Sequence, residues 1–244
     1  MEPVIAKDAD ELSRKVAEWM IGYMEETLLS QDRFCLVLSG GTTPEKLYQL
    51  LATPPFRERI DWKKLHFFWG DERYVPFEDD RNNAHMAFEQ LLKHVPIVKE
   101  QVHIMRTDIE PAESVKEYEK ILHRYFDGLP FSFDLVLLGL GDNAHTLSLF
   151  PGYENIHEKQ KWVMHFFLKE QNMTRITLTA PIINLSAHIA FLVTGADKAM
   201  PVYQVLYGQH FPDLYPAQLV QPYRGQTHWF LDHAAATEVN NNAL

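Results

Sequence analysis

The sequence predicts an α/β fold: an open, mostly parallel sheet with helices on both faces, in a Rossmann-like arrangement. Apolar runs of strand length alternate along the chain with segments whose apolar residues recur at helical spacing. Strands of a parallel sheet are buried on both faces, which suits the continuous apolar character of these runs. Because no internal repeat and no linker rich in Pro, Gly or Ser divides the sequence, residues 1–244 are predicted to form one domain.

The first half of the chain begins with a capped helix. Asp8 and Glu11 have the spacing of a capping box, and a helical apolar stripe follows them. The second helix is predicted to end at Pro54. In chain order, the predicted elements of this half are a helix from Asp8 to Leu28, a strand at 33–38, a helix through Leu47, Leu50 and Leu51, a strand at 64–69, and helices at 83–93 and 112–125.

The second half of the chain adds strands at 134–138, 162–168, 175–179 and 188–194 and a helix at 196–207. In parallel sheets of this kind, ligands bind at the carboxyl ends of the strands. The candidate binding site therefore comprises three loops that follow predicted strands, namely residues 39–43, 70–73 and 139–145.

Composition and charge exclude several classes of partner. Lys and Arg number 23 against 33 Asp and Glu, a net charge of −10, and no basic run occurs, so we expect no nucleic-acid partner. No apolar stretch approaches the ~20 residues that span a bilayer, and no export signal is visible. We therefore expect a cytoplasmic protein without a membrane partner. The single cysteine, Cys35, lies in an apolar run, which indicates a buried thiol and a reducing compartment.

The first candidate loop has the composition of an anion-binding turn. Glycines allow the backbone to approach a ligand, hydroxyl and N–H groups donate hydrogen bonds, and the amino terminus of the following helix favours negative charge. The loop lacks the Gly-Lys-Ser/Thr of a nucleoside triphosphate site. A tight turn without a ligand is the alternative. The residues of this candidate phosphate site are Ser39, Gly40, Gly41, Thr42 and Thr43.

The third loop presents His145 at the end of a predicted strand. Residues 139–144 formally match a dinucleotide fingerprint, but Pro151 and Gly152 interrupt the long helix that this fingerprint requires, so no dinucleotide is predicted. Polar residues around His145 indicate a candidate general base, with a structural histidine as the alternative.

The second loop carries Asp71, Glu72 and Arg73, which form either an acid/base and anion-binding group or a solvated charged turn. The other histidines lack the spacing of metal ligands, and no Gly-x-Ser-x-Gly elbow occurs. We therefore predict neither a metal nor an organic cofactor.

Several motifs occur along nearly the whole chain in a specific order and spacing. They are Ser39-Gly-Gly-Thr-Thr-Pro44, Gly70-Asp-Glu-Arg-Tyr-Val-Pro76 with Asn83 beyond it, Gly139-Leu-Gly-Asp-Asn-Ala-His-Thr-Leu-Ser-Leu-Phe-Pro151, Arg175-Ile-Thr-Leu-Thr179, Gly195-Ala-Asp-Lys-Ala199, Leu214-Tyr-Pro-Ala-Gln218 and Trp229-Phe-Leu-Asp232. With these motifs the chain resembles the 6-phosphogluconolactonases, in the larger group that includes the glucosamine-6-phosphate deaminases/isomerases.

The resemblance implies a sugar-phosphate isomerase type of fold and hydrolysis of 6-phospho-D-glucono-1,5-lactone to 6-phosphogluconate in the pentose phosphate pathway. It implies that His145 is the catalytic histidine and that Asp71 and Arg73 belong to the active site. The loop of residues 39–43, Arg175 and Lys198 match groups that hold the phosphate. A histidine with a pKa near neutrality would take a proton from water and return it to the ring oxygen. The expected partner is a small sugar phosphate, and we expect a monomer or a weak homodimer.

The chain departs from the family pattern just before His145. Where the family usually has Pro-Asp-Gly, this chain has Asp142, Asn143 and Ala144. Asn143 lacks the negative charge of Asp, although its amide oxygen still accepts a ring N–H, and Asp142 or Asp71 is the candidate for the missing carboxylate. Ala144 stands where glycine would adopt a positive φ freely.

Two other functions are open at this point. A glucosamine-6-phosphate deaminase/isomerase shares the phosphate loop and the histidine but uses a Glu shortly after that histidine, and Thr146 to Pro151 contains no carboxylate. A catalytically silent sugar-phosphate-binding protein is the second alternative, because of Asn143.

Overall fold

The computed structural model describes residues 2–242. Its strands are β1 (Val4–Ala6), β2 (Phe34–Leu38), β3 (Leu65–Trp69), β4 (Asp71–Arg73), β5 (Val102–His103), β6 (Leu135–Leu138), β7 (Val163–Leu168), β8 (Met173–Leu178), β9 (His188–Val193) and β10 (Gln226–Asp232). Its α-helices are α1 (Ala9–Thr27), α2 (Thr42–Leu51), α3 (Phe56–Arg59), α4 (Asn83–Gln90), α5 (Pro111–Phe126), α6 (Ala180–Ile183), α7 (Ala199–Tyr207) and α8 (Thr237–Asn242).

The main sheet has seven strands in the order β1-β10-β9-β6-β2-β3-β5, and every neighbouring pair in it is parallel. This arrangement confirms the predicted α/β class with a mostly parallel sheet. The runs predicted as strands at 33–38, 64–69, 134–138 and 188–194 are β2, β3, β6 and β9, four neighbouring strands of this sheet.

Helices cover both faces of the main sheet, as predicted. Successive side chains of a strand point to opposite faces, and in β2 Leu36 and Leu38 join one hydrophobic cluster, whereas Cys35 and Val37 join the other. The first cluster includes residues of α1, α2 and α4, and the second includes residues of α5 and α7. Cys35 is buried, as predicted, and burial raises the pKa of its thiol to about 12.

Helix α1 begins where the capping pattern predicted. Asp8 Oδ1 accepts the N–H groups of Asp10 and Glu11, while a Glu11 carboxylate oxygen accepts the N–H of Lys7. The 19-residue helix presents a buried face that includes Val16 and Met20. No helix among the described residues is both long enough and apolar enough to cross a membrane.

A second, antiparallel sheet consists of β4, β8 and β7. The prediction of a loop at residues 70–73 is wrong for Asp71–Arg73, since these residues form strand β4. In this strand Asp71 lies opposite Thr177 and Arg73 lies opposite Arg175. A charged tripeptide has no apolar periodicity, and its extended conformation depends on pairing with a distant segment.

Gly70 separates β3 of the main sheet from β4 of the small sheet. Its N–H donates to Leu38 O at 3.1 Å, and its carbonyl accepts the N–H of Leu178 at 2.8 Å. A Cβ at this position would lie 2.5 Å from a methyl carbon of Leu147. Gly70 therefore joins the two sheets through its own backbone groups, and its lack of a side chain permits Leu147 to approach it closely.

The strand order reverses direction between β2 and β6. From β2 the chain continues to β3, which lies on one side of β2. Strand β6 lies on the other side of β2, and β9, the main-sheet strand that follows β6 in the sequence, lies beyond β6. Ligand sites of open α/β sheets lie at such a point, beyond the carboxyl ends of the strands. The loops that begin at Ser39, Gly139 and Thr194 follow β2, β6 and β9 and therefore meet at this edge.

Candidate active site

The three loops and the small sheet enclose a cavity of about 320 Å³. Within residues 2–242, no three His, Cys, Asp or Glu side chains lie close enough together to hold a metal ion. The wall of the cavity includes the following predicted catalytic and phosphate-binding residues: Ser39, Gly40, Gly41, Thr42, Thr43, Asp71, Arg73, His145, Arg175 and Lys198.

The loop after β2 leads directly into the amino terminus of α2. Gly41 is the N-cap residue, with a φ of 103°, and no side chain of the described residues caps this helix end. The first-turn N–H groups of such a helix are available to an anion. The backbone N–H of Ser39 donates to the Tyr48 hydroxyl, which donates back to Ser39 O. Tyr48 thus fixes the shape of the loop, and Thr43 Oγ1 contacts Thr194 Oγ1 at 2.7 Å.

Three cationic side chains line the cavity. Arg73 and Arg175 face each other directly across β4 and β8, and like charges in this position are destabilising unless an anion compensates them. Lys198 Nζ lies 3.0 Å from Asp197 at the start of the segment that follows β9. Burial lowers the pKa of Arg175, and the nearby Asp71 opposes this effect. The Nε atoms of both arginines are buried without a hydrogen-bond partner among the described atoms, which favours an anionic ligand.

His145 is held by Asn143 and by Phe150. Its Nδ1 lies 2.6 Å from Asn143 Oδ1, and its backbone N–H donates to the same oxygen at 3.2 Å. Because a backbone N–H only donates, the atom that faces it is the amide oxygen, and Nδ1 therefore carries the ring proton. Nε2 keeps its lone pair, which is the state required of a general base. Phe150 stacks on the imidazole with the ring centroids 4.0 Å apart.

Burial lowers the pKa of His145 to about 4 and is the largest influence on it. Asp71 and Asp142 raise this pKa, whereas Arg175 and Lys198 lower it. The value is below the near-neutral pKa expected from the sequence, because the half-buried ring packs against Phe150 and loses part of its hydration. At pH 7 the free protein therefore holds His145 in its neutral form.

The backbone around His145 adopts two left-handed conformations, with φ of 58° at Ala144 and 55° at Leu147. Ala144 therefore keeps the positive φ that a glycine would adopt more readily, at a cost of about 1 kcal/mol. Gly141 N–H donates to His145 O at 2.8 Å. A Cβ on Gly141 would lie 1.9 Å from His145 Nδ1, so only glycine leaves room for the imidazole there.

Asp71 is buried at the floor of the cavity and is contacted from three sides. Its Oδ2 accepts the Ser148 hydroxyl at 2.6 Å and lies 3.7 Å from Arg175 Nη1. Its Oδ1 contacts the amide nitrogen of Asn83 at 3.4 Å, and the same nitrogen donates to Asp71 O at 2.9 Å. The carboxylate thus has a fixed orientation relative to both the small sheet and the His145 loop.

Glu72 points away from this cavity and is fully buried, so this part of the motif is not a solvated charged turn. Its carboxylate accepts the N–H groups of Arg73, Asn83 and Ala84 at 2.7 to 2.9 Å. Burial raises the pKa of Glu72 to about 8, and the three hydrogen bonds oppose that rise. Glu72 therefore attaches the start of α4 to β4.

A second cavity, of about 520 Å³, adjoins the first and shares His145 and Gln171 with it. Asp142 and Asn143 line this second cavity. Of the two residues considered for orienting the histidine, Asn143 contacts the ring, whereas Asp142 is exposed and acts on it through its charge.

Two polar residues of the site are not among the predicted site residues. Gln171 lines both cavities, and its Oε1 accepts a hydrogen bond from Arg175 Nη2. It lies in a short turn between β7 and β8, where no local pattern indicates a site. Ser148 is the buried donor to Asp71. The signal for Ser148 was its single hydroxyl between Leu147 and Leu149, in a run that is otherwise apolar.

The fold and the cavity define an α/β protein that places a neutral histidine and a group of cationic side chains at the switch point of a parallel sheet. A sequence model of the family described as glucosamine-6-phosphate isomerases/6-phosphogluconolactonase matches residues 7–229. The chain belongs to this family, which confirms the resemblance found in the motifs.

Individual relatives cover most of the chain. A 6-phosphogluconolactonase of Nostoc sp. is 35% identical over 240 residues, which are 97% of this chain and 97% of that protein. A 6-phosphogluconolactonase of Haemophilus influenzae is 37% identical over 201 residues, 81% of this chain and 84% of the relative. The crystal structure of 6-phosphogluconolactonase from Thermotoga maritima superposes with a TM-score of 0.82 at 29% identity, covering 95% of this chain and 100% of that one.

Proposed function

We propose that this chain hydrolyses 6-phospho-D-glucono-1,5-lactone to 6-phosphogluconate in the pentose phosphate pathway. The observation that carries the proposal is that one cavity contains the neutral His145, oriented by Asn143, together with cationic side chains and the amino terminus of α2. The relatives named 6-phosphogluconolactonase support the same substrate.

His145 acts as the general base. Its Nε2 accepts a proton from a water molecule while the water oxygen attacks C1 of the lactone, and Asn143 Oδ1 holds the opposite side of the ring through Nδ1–H. A bound phosphate dianion favours the imidazolium form, so it raises the pKa of His145 from about 4 toward the range in which a base is most effective at pH 7.

Arg73 and nearby backbone N–H groups stabilise the negative charge that develops on the C1 oxygen. As the tetrahedral intermediate collapses, the bond between C1 and the ring oxygen breaks. The imidazolium of His145 then returns its proton to the ring oxygen, which becomes the C5 hydroxyl of the product. Asp71 lies beside this centre and orients the water, the histidine or the sugar hydroxyls.

The phosphate is bound by residues 39–43, Arg175 and Lys198. It does not change during the reaction, so these contacts stabilise the substrate and the transition state alike. They therefore determine substrate affinity, whereas His145 and its neighbours determine the rate of the chemical step.

The direct test follows the decay of 6-phosphogluconolactone with and without the protein, because this lactone also hydrolyses spontaneously. Glucosamine 6-phosphate is offered in parallel. Acceleration of lactone decay alone supports the proposal, and release of ammonia from glucosamine 6-phosphate supports the deaminase instead. If 6-phosphogluconate binds and neither reaction is accelerated, the protein is a silent sugar-phosphate binder.

A further inference from the structure

We propose that Ser148 is a positioning residue, whose hydroxyl fixes the Asp71 carboxylate and couples it to the loop that carries His145. This inference rests on the proposed lactonase function and deepens it. Ser148 lies outside the cavity wall, beneath Asp71, and does not touch the substrate itself.

Ser148 has a single possible geometry because each of its polar groups is engaged. Its hydroxyl donates to Asp71 Oδ2 at 2.6 Å, its N–H donates to Thr177 Oγ1 at 3.2 Å, and its carbonyl accepts from Asn155 Nδ2 at 2.7 Å. The residue is 0% exposed. A hydroxyl with this degree of burial and anchoring holds its partner in place rather than exchanging it for water.

The contact between Ser148 and Asp71 connects two separate parts of the site. Asp71 belongs to β4 of the small sheet, whereas Ser148 lies three residues after His145 in the loop that follows β6 of the main sheet. That loop is internally rigid, since Thr146 Oγ1 donates to Gly139 O and Leu149 N–H donates to Thr146 O. A displacement at Ser148 is therefore transmitted to His145.

The hydroxyl is also the closest partner of the Asp71 carboxylate. Asn83 Nδ2 approaches the carboxylate only to 3.4 Å and Arg175 Nη1 only to 3.7 Å. Hydrogen bonds from a hydroxyl to a carboxylate are short and strong, and they have directional preference. Without this bond, Asp71 is free to turn away from the position in which it orients the reacting groups.

The test is a double-mutant cycle on lactone hydrolysis with Ser148→Ala and Asp71→Asn. We expect Ser148→Ala to lower kcat about 10- to 100-fold, the loss typical of a hydrogen bond to a charged group, while KM changes less than about threefold. In the Asp71→Asn background, Ser148→Ala is expected to lower kcat by less than about twofold, because the group through which it acts is already lost. A purely structural serine would multiply the two losses instead.

Two further variants complete the experiment. Ser132→Ala is the matched control, since Ser132 is a buried serine whose hydroxyl donates to Ile182 O at 2.9 Å outside the cavity, and its kcat is expected to stay at the wild-type value. Ser148→Cys retains a small side chain with a weak S–H donor and replaces the alanine variant if that variant does not fold. Its kcat is expected between those of the wild type and Ser148→Ala.

The outcomes separate the two proposals. An active wild type with an unchanged kcat in Ser148→Ala, or with losses that multiply in the cycle, overturns the role of Ser148 alone. A wild-type protein that does not accelerate lactone decay overturns the proposed function and this inference together.

Discussion

His145 illustrates how one contact decides the chemistry of a residue. Asn143 Oδ1 binds Nδ1, so the proton-accepting nitrogen is Nε2, and Phe150 removes water from one face of the ring. The Asn143 amide orients the imidazole ring as a carboxylate in its place would, but it contributes no charge. The pKa of His145 therefore stays at about 4, where burial sets it.

Replacement of His145 with Ala should abolish most of the lactonase activity. We expect kcat to fall about 10²- to 10⁴-fold, because the general base and acid is removed, while 6-phosphogluconate still binds through the phosphate groups. Kinetics and calorimetric titration with 6-phosphogluconate check the two parts. His165→Ala, at an exposed position of β7, is the control with unchanged kcat. Near-normal turnover in His145→Ala would refute the assignment.

Replacement of Asn143 with Asp tests the charge at the same contact. A carboxylate beside Nδ1 raises the pKa of His145 above about 4, so the acid limb of the kcat/KM profile should move up by about 1 to 3 pH units. Asp142→Asn is the matched control, because it removes a charge that raises the same pKa, and its limb should move slightly in the opposite direction. Identical profiles for all three proteins would contradict the role of His145 as the titrating base.

At the scale of elements, the three residues of β4 divide their functions by strand geometry. Alternate side chains of a strand point to opposite faces, so Asp71 and Arg73 line the cavity whereas Glu72 lies on the other side, at the start of α4. The same helix start supplies Asn83, which contacts Asp71. Strand β4 and helix α4 therefore support the site as one unit.

Replacement of Glu72 with Gln should weaken the attachment of α4 to β4. Both carboxyl oxygens of Glu72 accept backbone N–H groups, whereas the NH₂ group of Gln can only donate, so we expect a loss of about 1 to 3 kcal/mol in the free energy of unfolding at pH 6. Because the pKa of Glu72 is raised to about 8, its contribution to stability is full below pH 4.5 and falls as the pH rises to 8. The variant should lack this slope in urea unfolding experiments.

The control for this prediction is Glu89→Gln, at an exposed position of α4 whose partner is Lys93. Its stability should remain within about 0.5 kcal/mol of the wild type at each pH. An equal effect of the two substitutions would show that Glu72 does not hold the helix.

Elements with continuous apolar runs were predictable from the sequence, but the short strands β1, β4 and β5 and the mixed polar and apolar strand β10 were not. Strands β2 and β6 are buried on both faces, so their composition alone indicated them. Strand β4 owes its conformation to hydrogen bonds with β8, and β1 and β5 contain only three and two residues. Such strands depend on contacts between distant segments, which local patterns do not contain.

The position of the site followed from the rule that parallel strands end at one edge, and the motifs indicated its main residues. The supporting contacts did not follow. Ser148 reaches Asp71 across 77 positions of the sequence, and Gln171 reaches Arg175 through the shape of one turn. These two contacts can be identified only from the folded structure. The same holds for the burial that lowers the pKa of His145.

At the scale of the whole molecule, the net charge of −10 contrasts with the anionic ligand proposed for the cavity. Arg73, Arg175, Lys198 and the amino terminus of α2 reverse the sign of the charge locally. Surface charges beyond about 10 Å are screened by salt, whereas buried charges interact strongly with a ligand beside them. A globally acidic protein therefore offers a cationic cavity to a sugar phosphate.

Acidification should unfold the protein through its histidines before most carboxylates titrate. Burial is the main cause that lowers the pKa of five histidines below 6.5, namely His66, His103, His145, His188 and His228. They remain neutral in the folded protein and become protonated in the unfolded chain, so their contribution to stability is full above pH 6.5 and is lost as the pH falls toward 4.

Urea unfolding at pH 7, 6 and 5 checks this prediction, and the midpoint should decrease at each step. Glu72 acts in the opposite direction over this interval, because its raised pKa of about 8 favours the folded state as the pH falls. Burial also raises the pKa of Asp134, so two carboxyl groups oppose the five histidines. A midpoint that stays constant from pH 7 to 5 would show that these rings are protonated in the folded protein.

The junction at Gly70 makes the site a composite of two parts that can change separately over evolution. The main sheet contributes the loop of residues 39–43 and the loop of His145, whereas the small sheet contributes Asp71, Arg73 and Arg175. Under the proposed assignment, mutations at Asp71 or Arg73 alter groups at the reacting end of a sugar phosphate, while the main-sheet loop proposed to hold its phosphate is preserved. An architecture of this kind lets new reactions arise on one inherited mode of substrate capture.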